Sequence, residues 1–245
     1  MDVVSSYNKI DLFTTSIIIT FIVLLLILSV GTYHTRSFSF VTSAQTPNQN
    51  DNQTNFLSLK TLIQGGSPYL GNVSSPITII DFSDFQCYLC NRFVKNTEPL
   101  LNETYIQTGK VVLVFKHLPN RGLDSTGAAV AAQCTNDQGK FWQFHNLLYG
   151  NQKQIDSGWV NKDNLKKFAL DISGLNIQEF DSCFNSDKNT NFIENDTKLA
   201  LSLGFRETPS FVIMNSNGSN PEFLQGALPF QSFKAVIDNK LSQLS

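Results

Sequence analysis

The sequence has no surplus of positive charge: Lys and Arg total 18 against 20 Asp and Glu, a net charge of −2. No field of one sign is available to gather nucleic acid or acidic substrates, so charge names no partner. Cysteine is scarce, four in 245 residues, and two of the four stand alone, which excludes a small disulfide-stapled scaffold. Cys87 and Cys90 form one close C-x-x-C pair, but no second close pair of Cys or His accompanies them. Cys134, Cys183, His117 and His145 are scattered singly, which disfavours a four-ligand zinc site. Internal repeats of useful length are lacking too. With 41% hydrophobic residues the chain is nonetheless ordinary globular material, and disorder throughout is excluded.

What the sequence does have, near its amino end, is a long apolar run. No formally charged side chain occurs from Leu12 to His34, and Ile17 to Leu28 is almost unbroken Ile, Val, Leu and Phe. A run this apolar, without an amphipathic face, reads as a membrane segment rather than a core helix. A cleavable signal has an apolar region of about 7 to 15 residues with a small-residue site directly behind it. Here Tyr33, His34, Thr35 and Arg36 follow, and Thr42-Ser43-Ala44 lies too far downstream, so the segment reads as an uncleaved helix. Lys9 on one flank and Arg36 on the other nearly balance, and the positive-inside rule leaves the orientation undecided. The cysteines argue for an extracytoplasmic C-terminal part, because disulfides persist there. Ser37 to Asn55, rich in Ser, Thr, Asn and Gln, reads as a flexible tether. The expected organisation is a tail and transmembrane anchor over 1–36, a linker over 37–55 and one folded unit over 56–245.

Within that unit, Pro76 to Phe82 is a short β-branched and aromatic run, the pattern of a buried strand. It leads through Ser83 to Gln86 into Cys87. Cys87 to Thr108 reads as a helix with Phe93, Leu100, Leu101 and Tyr105 available for the core, Pro99 as a kink and Gly109 as the stop. Val111 to Phe115 is the next strand, giving a βαβ unit with C-x-x-C at the helix N-terminus. Unpaired N–H groups and a partial positive charge at that end favour a thiolate and lower its pKa. Cys87, nearer the end and expected to be the more exposed, is therefore the expected nucleophile, and Cys90 the resolving thiol that attacks a mixed disulfide at Cys87. A merely structural disulfide across two residues would constrain the unfolded chain little. About ninety residues of helical character follow. Ser210 to Met214 is then a strand, Asn215 to Gly218 a turn and Glu222 to Gln225 a partner strand. Phe230 to Leu244 is an amphipathic helix through Phe230, Phe233, Val236, Ile237 and Leu241.

Taken in order, Gly66-Ser-Pro-Tyr-Leu-Gly71, Asp81-Phe-Ser-Asp-Phe-Gln-Cys87 through Cys90, Gly139-Lys-Phe-Trp-Gln-Phe-His-Asn-Leu-Leu148, Thr208-Pro209 and Gly226 resemble the DsbA-like branch of the thioredoxin superfamily over roughly residues 64 to 243. The resemblance implies an α/β thioredoxin fold with an inserted helical subdomain at about 121–203, here preceded by the transmembrane helix. It also implies that Pro209 is cis and that the backbone of Thr208 lies beside the cysteines, free to pair with an extended substrate. Tyr88, Leu89, Thr208 and Pro209 would then line the substrate site. Asp81 matches the buried acid that exchanges a proton with Cys90 in such proteins; the alternative is a solvated strand-end Asp. Asp84 reads as a solvated or capping residue. Cys134 and Cys183 read as a structural disulfide between insertion helices, with two separately buried thiols as the alternative. His145 and Trp142 read as core residues, with a substrate-facing groove as the alternative, and His117 either tunes the site or makes a structural hydrogen bond. The chain departs from the family's pattern between the cysteines, where Tyr88-Leu89 replaces a Pro-His dipeptide and no imidazole is on hand to stabilise a thiolate.

The expected function is that of an extracytoplasmic, membrane-anchored thiol-disulfide oxidoreductase. It would form disulfides in exported proteins that carry free or mispaired cysteines, and a membrane redox partner would regenerate it. No cofactor, metal or nucleic acid is implied. A reductase or isomerase on the same scaffold, and a tethered binding module with incidental redox chemistry, are the competing expectations.

Overall fold

Five strands form one sheet: β1 (Tyr69–Leu70), β2 (Ile77–Ser83), β3 (Val111–His117), β4 (Ser210–Asn215) and β5 (Glu222–Gln225), in the spatial order β1-β3-β2-β4-β5. This computed structural model describes residues 58–244, so the expected anchor at 1–36 and linker at 37–55 lie outside the described residues. Among the described residues no helix is long and apolar enough to cross a membrane. The helices in chain order are α1 (Leu59–Gln64), α2 (Tyr88–Asn96), α3 (Glu98–Leu101), a π-helical turn (Asn102–Ile106), α4 (Ser125–Asn136), α5 (Phe141–Gly150), α6 (Lys162–Leu170), α7 (Ile177–Phe184), α8 (Thr190–Ser202) and α9 (Phe230–Ser242).

β2 and β3 pair in parallel, and the other pairs are antiparallel. Every residue of β2 and β3 is buried, which is why these runs read as continuous apolar stretches and not as an alternation. The two-residue period of a strand still sorts their side chains between faces. Ile77 and Ile79 join Val111 and Leu113 in a core with Phe93, Leu101, Tyr105, Phe233 and Ile237 from α2, α3, the π turn and α9. Ile80 and Phe82 join Val112 and Val114 on the other face, under α1 and α8. Asp81 and Ser83 continue the first face, and β2 thereby aims an acid toward the side that carries α2.

The expected single helix from Cys87 to Thr108 is in fact α2, α3 and the π turn. The break falls at Thr97, because Pro99 has no N–H for the carbonyl of Lys95 and its ring crowds that turn. The break also re-aims the residues behind it: Leu101 is buried, whereas Leu100 is 43% exposed and does not join the core.

The inserted segment is not a detached unit. α4 to α7 form a third core around Phe144, Leu148, Leu165 and Phe180 that includes Phe85, Cys87, Cys90 and Phe115. The last inserted helix, α8, packs on the sheet through Ala200. Lys240 of α9 is fully buried, with its Nζ donating to the Asn220 carbonyl and 3.2 Å from Glu222 Oε1.

Candidate active site

Cys87 caps α2. Its backbone is extended (φ −76°, ψ 118°) and its Sγ accepts the Cys90 N–H at 3.4 Å, so the sulfur stands where a Ser or Asp oxygen commonly satisfies a first-turn donor. Both cysteines are thiols, and both are buried, Cys87 at 2% exposure and Cys90 at 0%. The expected exposure of Cys87 is thus nearly absent, because the cis-linked Thr208–Pro209 segment lies against it: the Cys87 thiol donates to the Thr208 carbonyl at 3.2 Å.

The two sulfurs titrate in opposite directions. A hydrogen bond from Cys90, outweighing burial and helped by Thr208, the Cys90 N–H and the positive charge of Arg121, brings Cys87 down to about 6. Burial, followed by the proximity of Cys87 and Asp81, pushes Cys90 well above the ordinary thiol value. At pH 7 the outer sulfur is mostly a thiolate and the inner one a thiol.

Beneath them lies Asp81, 1% exposed, accepting a 2.5 Å hydrogen bond from Ser83 Oγ. Burial raises its pKa to about 7 against the lowering effect of Ser83. A second acid, Glu98 at the start of α3, was not singled out by the sequence reading. Burial, with Asp81 adding to it, raises Glu98 to about 8, and its Oε2 sits 4.0 Å from His145 Nε2. His145 is fully buried and held near 4 by that burial, so a neutral carboxyl faces a neutral imidazole at pH 7.

The loop before Cys87 is held by residues far along the chain. Asp84, expected to be solvated or capping, is 2% exposed and accepts from four groups: the backbone N–H of Gln86, Asn120 and Arg121 at 2.8 Å each, and Ser125 Oγ at 2.9 Å. Tyr149 Oη donates to the Asp84 carbonyl at 3.2 Å, and Gln152 Nε2 donates to the carbonyls of Phe85 and Cys87 at 2.7 and 3.0 Å. Asn91 of α2 returns the contact, donating to the Tyr149 carbonyl at 3.0 Å and to Gln152 Oε1 at 2.8 Å. The insertion therefore clamps the cysteine turn.

Of the residues singled out in the sequence, Asp81, Cys87, Cys90 and Thr208 come together here, with Pro209 in a cis peptide. Tyr88 is 72% exposed beside them, and Leu89 packs partly buried against the insertion core. Cys134 and Cys183 form a disulfide between α4 and α7, with Cα atoms 5.8 Å apart. His117 does not reach the cysteines. Its ring bonds Gln133 Oε1 at 3.3 Å, and burial holds it near 3. Trp142 donates to the Tyr69 carbonyl at 2.7 Å. The Thr208 carbonyl, expected to be free for a substrate, is already shared by Cys87 and the Arg121 guanidinium, whose Nη2 lies 3.4 Å away. Arg121 also went unnoticed in the sequence, although a signal existed: it follows β3, whose carboxyl end lies on the same side as that of parallel β2, where the cysteines emerge.

Among the described residues no group of three His, Cys, Asp or Glu gathers as a metal site. A cavity of about 910 Å³ is lined by α1, α8 and the Lys116–Asp196 ion pair, and no cysteine lines it.

Comparison with known proteins agrees with this geometry. Residues 64–239 match the family described as Thioredoxin. A probable disulfide bond formation protein D from Bacillus cereus is 30% identical over 177 residues, covering 71% of this chain and 78% of that protein. Among solved structures, alpha-DsbA1 of Wolbachia pipientis superimposes with a TM-score of 0.62 at 28% identity, over 73% of this chain and 94% of that one. Oxidised BdbD from Bacillus subtilis gives 0.64 at 23% identity, over 72% and 94%.

Proposed function

The chain belongs to the Thioredoxin family, in its DsbA-like branch, and is a thiol-disulfide oxidoreductase; from that membership we propose that it donates the Cys87–Cys90 disulfide to exported proteins. In the disulfide form, a substrate thiolate attacks Cys87 Sγ. The Cys87–Cys90 bond breaks, and Cys90 leaves with the electron pair and then takes a proton, which Asp81, still partly protonated at neutral pH, can supply. The substrate's second thiolate attacks its own sulfur in the mixed disulfide, and Cys87 leaves as a thiolate. The substrate has lost two electrons and two protons; a membrane redox partner must then accept the two electrons to restore the disulfide. Tyr88, Leu89 and the Thr208–Pro209 segment are the proposed docking surface, with the peptide adding along the Thr208 backbone. The apolar run in 12–34 is the proposed anchor, the polar stretch 37–55 its tether, and the catalytic part 56–245 lies on the extracytoplasmic side.

The observation that carries this reading is the set of groups around Cys87 Sγ: the Cys90 N–H, the Cys90 thiol, Thr208 and the Arg121 charge. Stabilising the thiolate stabilises the reduced enzyme, and a stabilised reduced form makes an oxidant. The test is the reduction potential of the full-length chain in glutathione buffers, with Cys87→Ser as control. A potential well above the roughly −270 mV of thioredoxin, toward the roughly −120 mV of strong oxidants, supports disulfide donation. A value near thioredoxin's makes the protein a reductase.

A further inference from the structure

We propose that Arg121 is the thiolate-stabilising cation of this site, doing from the end of β3 what a histidine between the cysteines would do and what Tyr88-Leu89 cannot. This rests on Cys87 being the exchanging sulfur. The guanidinium and Cys87 Sγ converge on one atom, the Thr208 carbonyl oxygen, at 3.4 and 3.2 Å. Three further contacts hold the guanidinium there: Nε donates to Thr208 Oγ1 at 3.3 Å, Nη2 pairs with Glu207 Oε2 at 2.5 Å, and the Arg121 backbone N–H is fixed on Asp84 Oδ2 at 2.8 Å. Its positive charge lowers the pKa of Cys87. The other ionisable groups acting on Cys87 are Cys90 from α2, Asp81 from β2 and Tyr149 from α5, with Glu207 facing it through Arg121. Each of these is neutral when protonated and negative when ionised, leaving Arg121 as the cation of the set. Arginine suits this place because its planar fork can hold a carboxylate and a carbonyl while keeping its charge at any pH the protein meets.

A guanidinium in this position also occupies the acceptor that an incoming peptide strand needs. Once Cys87 is a thiolate or part of the disulfide it has no proton to donate, and the Thr208 carbonyl keeps only Arg121. Arg121 is 29% exposed and its Nη2 already pairs with Glu207 Oε2, so a substrate N–H can replace its long 3.4 Å contact with the carbonyl while that pair is kept. The same residue thus favours the reduced state electrostatically and yields the docking edge in the oxidised one.

The experiment follows Cys87 alkylation by iodoacetamide against pH, read by peptide mass spectrometry, in the reduced full-length chain and in Arg121→Gln, at low salt and in 1 M salt. The expected result is a midpoint raised by about one unit in Arg121→Gln, a tenfold weaker acid. The potential in glutathione buffers should fall by up to about 30 mV, the equivalent of that tenfold change for a two-electron couple. High salt should raise the wild-type midpoint and should not raise the variant's, since only the wild type has a partly exposed attractive charge pair to screen. The salt titration of the wild type keeps the test decisive if the variant does not fold. An unchanged midpoint in Arg121→Gln, or a wild-type midpoint insensitive to salt, overturns the assignment. If instead wild-type Cys87 titrates near the ordinary thiol value of about 8.5, it is the function proposed above that fails.

Discussion

Replacing Asp81 by Asn tests whether the acid beneath the cysteines is as costly to the fold as its surroundings imply. Burial raises its carboxyl from 3.8 to about 7, so the folded protein binds more protons than the unfolded chain across that window. Stability contributed at this position is therefore lost as pH rises from about 4 to 7 and is unaffected below it. A shift of about three units corresponds to about 4 kcal/mol, which is the ceiling for the gain when the charge is removed. The substituted amide keeps an acceptor for Ser83 Oγ but adds hydrogens that need partners, so a gain of about 2 kcal/mol or more is expected at pH 8. Urea denaturation of the oxidised full-length chain, with no thiolate present, should show the variant less stable than wild type by up to about 2 kcal/mol at pH 4, where the carboxyl is neutral and only the amide's unpartnered hydrogens count. The difference should shift in the variant's favour as pH rises and level off above pH 7. A pH-independent difference, or a variant less stable at pH 8, would refute the account of Asp81 as a desolvated acid. The same variant should slow attack of a substrate thiolate on the Cys87–Cys90 disulfide by about ten- to a hundredfold near neutral pH, because the departing Cys90 then lacks its proton donor.

Glu98→Gln should behave similarly over a higher window, gaining stability as pH rises from about 4.5 to 8, with a flat denaturation midpoint against pH as the adverse result. Replacing Cys134 and Cys183 together by Ala opens a cross-link spanning 49 residues, and guanidinium denaturation should register a loss of about 4 kcal/mol; a loss under 1 kcal/mol would mean that the unfolded chain is not constrained by it. Asp84→Ala leaves two backbone N–H groups of the Asn120–Arg121 segment and that of Gln86 without acceptors, so a destabilisation of about 3 kcal/mol is expected together with slower exchange at Cys87. Wild-type stability in this variant would contradict the buried four-donor arrangement.

The βαβ unit, the cysteines at its helix start, the β4–β5 hairpin and α9 were all legible in the sequence. They depend on local signals: β-branched runs, apolar spacing at helical period, and stops at Gly. The order of family-like motifs placed the insertion as well. Local signals also misled where their consequences were geometric. Pro99 read as a kink, yet it splits the helix and turns Leu100 outward while Leu101 stays inside. Asp84 reads as solvated or capping, and it does accept the nearby Gln86 N–H, but nothing close in sequence reveals that Asn120, Arg121 and Ser125 fold over it and bury it. Glu98 reads as an ordinary helical acid until α5 brings His145 against it. Arg121 lies 34 positions after Cys87, a separation at which no periodicity connects them, and only the parallel pairing of β2 with β3 brings their ends together. What the sequence determines by itself is which sulfur heads the helix, since capping is a property of adjacent residues. How acidic that sulfur is, and what stands over it, depends on burial and on charges from distant segments, and these exist only once the chain is packed.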